Sequence, residues 1–313
     1  MASLESRPAT FLEPAATMSS VSADRVLRPD NGQPDERADA LRALEMDALQ
    51  RAKPRLRALL WDVDGTLAET ECDGHLPAFN EAFEACGLSW RWDDAHYGAL
   101  LAVTGGRERV LHDMALRGVG PERAVDREAL ALQVHRIKNC AYARRVAQGH
   151  VRLRDGVRSL LNDCRAQKVR LAIVTTSSRS NVQALLSAQL GPAWTQRFEV
   201  TVCGEDVARK KPDPEAYVIA LRQLGLTPCE TVAIEDSPAG AAAARAAGVP
   251  VVVTQSRYFE LAAFDAVMAI GPGLHTRQGW RPVLTGTADA LQVLRLADIR
   301  SWHAQFNGAE VRP

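Results

Sequence analysis

The stretch Leu59-Leu60-Trp61-Asp62-Val63-Asp64-Gly65-Thr66-Leu67 decides the fold. An apolar run ends in two aspartates one residue apart, a glycine turns the chain, and a threonine follows. The pattern predicts a buried strand over 57–62 that delivers carboxylates to a loop at its C-terminal edge. In open α/β sheets that edge is where ligands bind. An Asp-Gly pair after a strand is also an ordinary turn, so the reading depends on what the rest of the chain brings to the same edge.

Further along, apolar runs alternate with helical patterns. Strands are expected over 171–174, 198–203, 231–234, 249–253 and 266–269, and helices over 181–190, 214–224 and 238–247. Repeated strand–helix units imply a parallel sheet with helices on both faces. Between 72 and 149 the pattern is helical and polar, without a strand. Apolar residues at helical spacing run from Pro77 to Phe83 and stop at Gly87. Further helices are expected over 95–103, 110–117 and 124–148. The sequence therefore reads as a Rossmann-like α/β core, residues 55–71 and 150–300, with a helical cap over 72–149 inserted after the first strand. A helix is expected over 289–296, and 301–313 form a C-terminal tail.

Residues 1–54 hold Pro, Ser, Ala and mixed charge, with no strand and no signal-peptide core. Glu5, Glu13 and Asp24 argue against an acid-poor transit peptide. A weak helix is expected over 35–51. Two readings stand: Met46 is the true start, or the segment is a disordered leader. The 313 residues carry 38 basic and 38 acidic side chains, a balance that gives no field for nucleic acid or an anionic membrane. No apolar run approaches the roughly 20 residues of a spanning helix. The six cysteines are scattered and form no CxxC pair, so neither a zinc site nor a disulfide framework is indicated. Reduced thiols, a cytoplasmic location and a monomer are expected.

Four polar clusters follow four strands: Asp62-x-Asp64-Gly-Thr66, Thr175 with Thr176 and Ser177, Lys211-Pro212, and Glu235-Asp236. In a parallel sheet these strand ends share one edge, so the clusters should converge. Several carboxylates in one cleft do not all stay ionised without a cation. A hard divalent ion with oxygen ligands, Mg²⁺, resolves this. A lysine and a hydroxyl beside it can hold the remaining oxygens of a phosphate.

This order and spacing resemble the haloacid dehalogenase-like superfamily over residues 55 to 300. The resemblance implies that Asp62 is the nucleophile of an aspartyl-phosphate mechanism and Asp64 the general acid and base. Asp62, Asp236 and the backbone carbonyl of Asp64 would bind Mg²⁺, with Glu235 acting through the metal's waters or behind its ligands. Thr175 and Lys211 would grip the phosphoryl oxygens. Lys210 competes for the lysine role, and the Lys-Pro pairing favours Lys211.

Within the superfamily, the runs Ala68-Glu69-Thr70-Glu71-Cys72-Asp73-Gly74-His75 with Ala78-Phe79-Asn80, and Val103-Thr104-Gly105-Gly106-Arg107-Glu108-Arg109, resemble CbbY-like sugar phosphatases, relatives of beta-phosphoglucomutase. That resemblance implies a phosphorylated sugar, xylulose 1,5-bisphosphate or a similar pentulose bisphosphate, and a link to the Calvin cycle. It makes Glu69 and His75 contacts to sugar hydroxyls and places Thr176, Ser177 and Asn181 at the substrate, although Asn181 also fits a helix N-cap. Gly105 and Gly106 open backbone N–H groups at a helix start and Arg107 adds a guanidinium, a set suited to a second phosphate. A plain capping turn with a solvated arginine fits the same residues. Leu76, Pro77 and Arg107 depart from the usual residues of the group. The rival readings are a phosphomutase, a phosphoglycolate-type phosphatase and a non-catalytic binding protein.

Overall fold

The computed structural model describes residues 54–284 and 293–309. The expected helix over 35–51, the start-site question at Met46 and the first half of the expected helix over 289–296 lie outside them.

Six parallel strands form one sheet in the order β3-β2-β1-β4-β5-β6. They are β1 (Ala58–Trp61), β2 (Arg170–Val174), β3 (Val200–Val202), β4 (Thr231–Glu235), β5 (Val251–Thr254) and β6 (Ala269–Gly271). The chain winds outward from β1 through β2 and β3, then returns to the other side of β1 for β4 to β6. The switch point therefore lies between β1 and β4, and a crevice opens beyond their C-terminal ends. This is the doubly wound α/β fold that the sequence implied.

Alternation along β1 builds both core layers. Leu59 and Trp61 join a cluster with Leu160, Ile173, Leu185 and Trp302. Ala58 and Leu60 join a cluster on the opposite face with Tyr217, Leu221 and Ala244. The chain leaves the sheet at Ala68 and returns at Leu153, and these two residues pair across an antiparallel bridge. Between them, α1 (Leu76–Ala85), α2 (Asp94–Leu100), α3 (Gly106–Arg117) and α4 (Ala124–Ala147) close over their own apolar cluster, including Phe79, Phe83, Trp92, Tyr97 and Met114. A π-helical turn, Glu71–His75, joins the first crossing to α1.

Several elements differ from expectation. The second cap helix starts one residue earlier than expected, where Asp93 caps it by accepting the His96 N–H at 2.8 Å, and ends earlier, at Leu100. The third begins at Gly106, since Gly105 has φ +98° and halts the preceding loop. A helix α5 (Val157–Ala166) follows the return crossing unanticipated, although Val157, Leu160, Leu161 and Cys164 give a clear helical stripe. Two further core helices are α6 (Arg179–Leu190) and α7 (Glu215–Leu224), and α8 (Pro238–Ala246) follows β4. The last strand comes three residues later than expected. The C-terminal helix is α9 (Leu296–Ala309), so it crosses the boundary placed at 300, and residues 293–295 are not helical. Asp298 reaches back to the Arg295 N–H at 2.9 Å, and Asp163 holds the Arg295 guanidinium; together they set the helix start there. Among the described residues no helix is long and apolar enough to cross a membrane.

Candidate active site

All four polar clusters meet at the C-terminal edge of the sheet. Asp62 follows β1, Thr175–Ser177 follow β2, Lys211 lies between β3 and α7, and Glu235 ends β4 with Asp236 next. Lys211 is buried, and its ammonium donates to Asp62 Oδ1 at 2.6 Å, Glu235 Oε1 at 2.6 Å and the Val174 carbonyl at 2.8 Å. Lys210 instead points to the cap and pairs with Glu108 at 2.8 Å. Of the two lysines, Lys211 is the one among the carboxylates.

Asp62, Glu235 and Asp236 are buried and each offers an oxygen within 4.8 Å of the others. Burial raises the Asp62 carboxyl well above its usual range against the pull of Lys211, and Glu235 and Asp64 add to the rise. Burial and then Asp62 raise Asp236 in the same way, while a hydrogen bond from Ser256 opposes. Despite its own burial, Lys211 is held above the ordinary lysine range by Asp62 and Glu235. One ammonium thus faces three buried carboxylates, an imbalance that a divalent cation would correct. Glu235 Oε2 is buried without a partner among the described residues. The donor set is all carboxylate oxygen, which fits a hard ion such as Mg²⁺.

Two glycines permit this crowding. Gly65 has φ +80°, and a Cβ there would lie 2.0 Å from Asp236 Oδ2. A Cβ on Gly240 would lie 1.9 Å from Glu235 Oε2. Ser256 Oγ donates to Asp236 Oδ2 at 2.6 Å and fixes the carboxylate from the far side.

The Asp64 side chain stands apart from this cluster and faces the hinge. It accepts from Thr70 Oγ1 at 2.5 Å and from the Ser177 hydroxyl, and lies 2.9 Å from His75 Nε2. Burial opposes its ionisation, but His75 and these donors hold the carboxyl below its usual range. His75, expected as a contact to sugar hydroxyls, is thus placed against Asp64. His75 also stacks on Tyr142, ring centroids 4.3 Å apart.

A cleft of about 380 Å³ runs from Asp62, Asp64, Lys211 and Asp236 to the cap. A smaller lobe continues from it, and Asp64, Glu71, Arg109 and Thr176 line both. Glu69 lines the larger lobe, 3.2 Å from the Arg154 guanidinium. Gly106, Ser177 and Asn181 line the smaller one. Asn181 sits inside α6, whose N-cap is Ser178, so it is not the cap residue. Its amide donates to Asn139 at 3.1 Å and its Oδ1 is buried without a partner among the described residues.

Two expectations shift by one or two residues. Thr175 is buried, accepts the Ser177 N–H at 3.1 Å and lines neither lobe. Thr176 lines both lobes, and Ser177 the smaller one. Arg107 also lines neither lobe. Its half-exposed guanidinium lies 3.8 Å from Glu108 and 3.6 Å from Glu128.

At its cap end the cleft carries the cations Arg109 and Lys138, with Lys210 and the imidazole of His135 beside them; Arg109, Lys138 and His135 are not among the residues expected from the sequence. Arg109 is buried, donates to the Tyr97 hydroxyl at 2.9 Å and lies 3.9 Å from Glu71. Lys138 is 3 % exposed, with its ammonium over the rings of Phe79 and Tyr142 at 5.1 and 5.5 Å. Burial lowers its ammonium to about 8. Burial, with Lys138 and Lys210 nearby, lowers His135 to about 4. A signal was present: His135 and Lys138 are three apart on one helix, hence on one face.

A family profile described as haloacid dehalogenase-like hydrolase matches residues 56–248. Protein CbbY of Rhodobacter capsulatus is 46% identical over 203 residues, covering 65% of this chain and 87% of that protein. The plasmid-borne Protein CbbY of Cupriavidus necator is 41% identical over 251 residues, covering 79% and 97%. The chain also superposes on a crystal structure of a CbbY variant from Rhodobacter sphaeroides in complex with xylulose-(1,5)bisphosphate. That match has TM-score 0.63 and 38% identity, covering 68% of this chain and 92% of the other.

Proposed function

The chain belongs to the haloacid dehalogenase-like hydrolase family, and from that premise we propose that it is a Mg²⁺-dependent phosphatase acting on a pentulose bisphosphate, xylulose 1,5-bisphosphate above others. One observation carries the substrate reading. The cleft has carboxylates and Lys211 at its core end and two buried cations, Arg109 and Lys138, at its cap end. A substrate with an anionic group at each end satisfies both. The complex of the Rhodobacter sphaeroides relative supports the same class.

In the proposed reaction, an Asp62 carboxylate oxygen attacks phosphorus and the ester P–O bond breaks. Asp64 gives its proton to the departing alkoxide. A water then attacks the aspartyl phosphate, Asp64 takes the water's proton, and Asp62 is regenerated with release of inorganic phosphate. Asp62, Asp236 and the Asp64 carbonyl would hold Mg²⁺, which neutralises charge on the transferring group. Lys211 and Thr176 steady the phosphoryl oxygens, while Glu235 holds Lys211. Residues 72–149 act as the cap that excludes water and reads the sugar.

The test is phosphate release from xylulose 1,5-bisphosphate beside ribulose 1,5-bisphosphate, glucose phosphates and phosphoglycolate, with and without Mg²⁺. Preference for the first supports the proposal. Isomerised sugar without free phosphate would identify a mutase, and better turnover of phosphoglycolate would replace the substrate.

The cap cations give a sharper expectation. A charge-assisted contact to phosphate is worth about 1.5–3 kcal/mol, so Lys138→Met should raise KM for the bisphosphate by about 10- to 100-fold. A sugar monophosphate should be little affected. Arg107→Ala should change either KM by less than about fivefold, because an exposed ion pair contributes little. Equal effects of Lys138→Met on both substrates would remove Lys138 from the second phosphate.

A pH profile offers an independent check. Lys138 is charged below its value of about 8 and loses its proton as pH rises through it. KM for the bisphosphate should therefore climb on the alkaline side, and KM for the monophosphate should stay level.

A further inference from the structure

We propose that Arg154 is a positioning residue that ties the hinge of the cap to the ion-binding loops and sets the affinity for Mg²⁺ without touching the ion or the substrate. The proposal rests on the reading of Asp62, Glu235 and Asp236 as the ion site.

Arg154 stands at the return crossing from cap to core, one residue after the Ala68–Leu153 bridge, and its own N–H donates to Leu67 at 2.9 Å. Its guanidinium joins three loops. Nη1 donates to the Gly65 carbonyl and, at 3.1 Å, to the Thr254 carbonyl. Nη2 donates to the Gln255 carbonyl at 2.6 Å. Nε lies 3.2 Å from Glu69 Oε1 on the outgoing hinge segment. The side chain is only 12% exposed, and it lines neither lobe of the cleft.

Two of these contacts, to Gly65 and Gln255, end one step from the ion site. Gly65 is bonded to Asp64, whose carbonyl is a proposed ligand, and it packs against Asp236. Gln255 precedes Ser256, which holds Asp236 Oδ2 at 2.6 Å. One planar, five-donor group thus ties the Gly65–Thr66 peptide, which follows the peptide carrying the Asp64 carbonyl, to the Gln255–Ser256 peptide, which carries the residue that holds Asp236. Lysine, a point charge with three donors, cannot span the same carbonyls. Groups behind metal ligands are worth about 10- to 100-fold in metal affinity when removed. The Glu69 contact joins this clamp to the segment on which the cap turns.

The experiment compares full-length wild type with Arg154→Gln and Arg154→Lys. Mg²⁺ affinity is read by calorimetric titration of the metal-free protein, alongside KM and kcat at saturating Mg²⁺. Thermal melting and circular dichroism establish folding, with Arg154→Lys as the milder variant should Arg154→Gln not fold. The expected result is Mg²⁺ binding weakened by about 10-fold or more, with KM for the bisphosphate near wild type once Mg²⁺ is saturating. Wild-type Mg²⁺ affinity in a folded variant would overturn the proposal and leave Arg154 as a plain structural tie. Equal losses in KM and Mg²⁺ affinity would also overturn it. Absence of Mg²⁺ binding by wild type would instead overturn the ion-site reading beneath it.

Discussion

Asp62→Asn is expected to lower turnover by a factor on the order of 10⁴ to 10⁶, the scale seen when a covalent nucleophile is removed from an otherwise intact site. An amide oxygen is a poor nucleophile toward phosphorus, and the neighbouring carboxylates have other tasks in the proposed site: Glu235 holds Lys211 and Asp236 binds the ion. Lys211 is held as an ammonium, and Asp64 faces away with both oxygens engaged. The fold should survive the change. Three buried carboxylates share one ammonium, so removing a negative charge relieves the repulsion that raises Asp236. The amide oxygen can still accept from Lys211. The melting temperature in the absence of Mg²⁺ is expected within about 4 °C of wild type, which separates loss of chemistry from loss of structure. Substrate should still bind, because the cap cations are untouched. Full turnover by this variant would eliminate the aspartyl-phosphate mechanism.

The sheet was legible because its signal is local. Leu59 to Trp61 are apolar on both faces, as a central parallel strand requires, and two aspartates mark where it ends. The convergence of Asp62, Lys211 and Asp236 followed from the rule that parallel strands share an edge. Less legible was the direction of single side chains, which an offset of one or two residues changes. Residues leaving a strand alternate in direction, so Thr175 turns inward and Thr176 faces the cleft, a distinction invisible in the run Thr-Thr-Ser-Ser. Arg107 and Arg109 are two apart on a helix, hence about 200° apart around its axis. Once the helix begins at Gly106, one of them faces Glu128 and the other the cleft. The helix start depends on the φ of Gly105, which the sequence permits without demanding. Lys138 escaped notice because a lysine in a long polar helix reads as solvated; Tyr142 lies one turn along the same helix, but Phe79, which covers the ammonium from another helix, is a tertiary neighbour.

Asp64→Asn is the other change of large effect, and its outcome tests how the proposed acid is held. General acid–base groups contribute about 10²–10⁴-fold, so sugar bisphosphate turnover should fall by that order. The two halves of the reaction can be told apart with 4-nitrophenyl phosphate, whose leaving group needs no proton. The variant should then release one equivalent of nitrophenolate per site in a burst and turn over slowly, because the base for hydrolysis of the phosphoenzyme is missing. Steady-state turnover equal to wild type on both substrates would remove Asp64 from the chemistry. The geometry adds a constraint. Thr70, His75 and Ser177 hold Asp64 as an anion below the usual carboxylate range, which suits a base and opposes an acid. To protonate a sugar alkoxide, Asp64 must lose part of that hold when substrate enters. Ser177 comes from the core and His75 from the hinge, so a displacement of the cap relative to the sheet is the motion that would release it. Removing one donor by Ser177→Ala should therefore weaken the hold, raise the Asp64 carboxyl and move the alkaline limb of kcat/KM for the bisphosphate, along which the acid loses its proton, to higher pH. An unshifted limb would mean that Asp64 titrates independently of that contact.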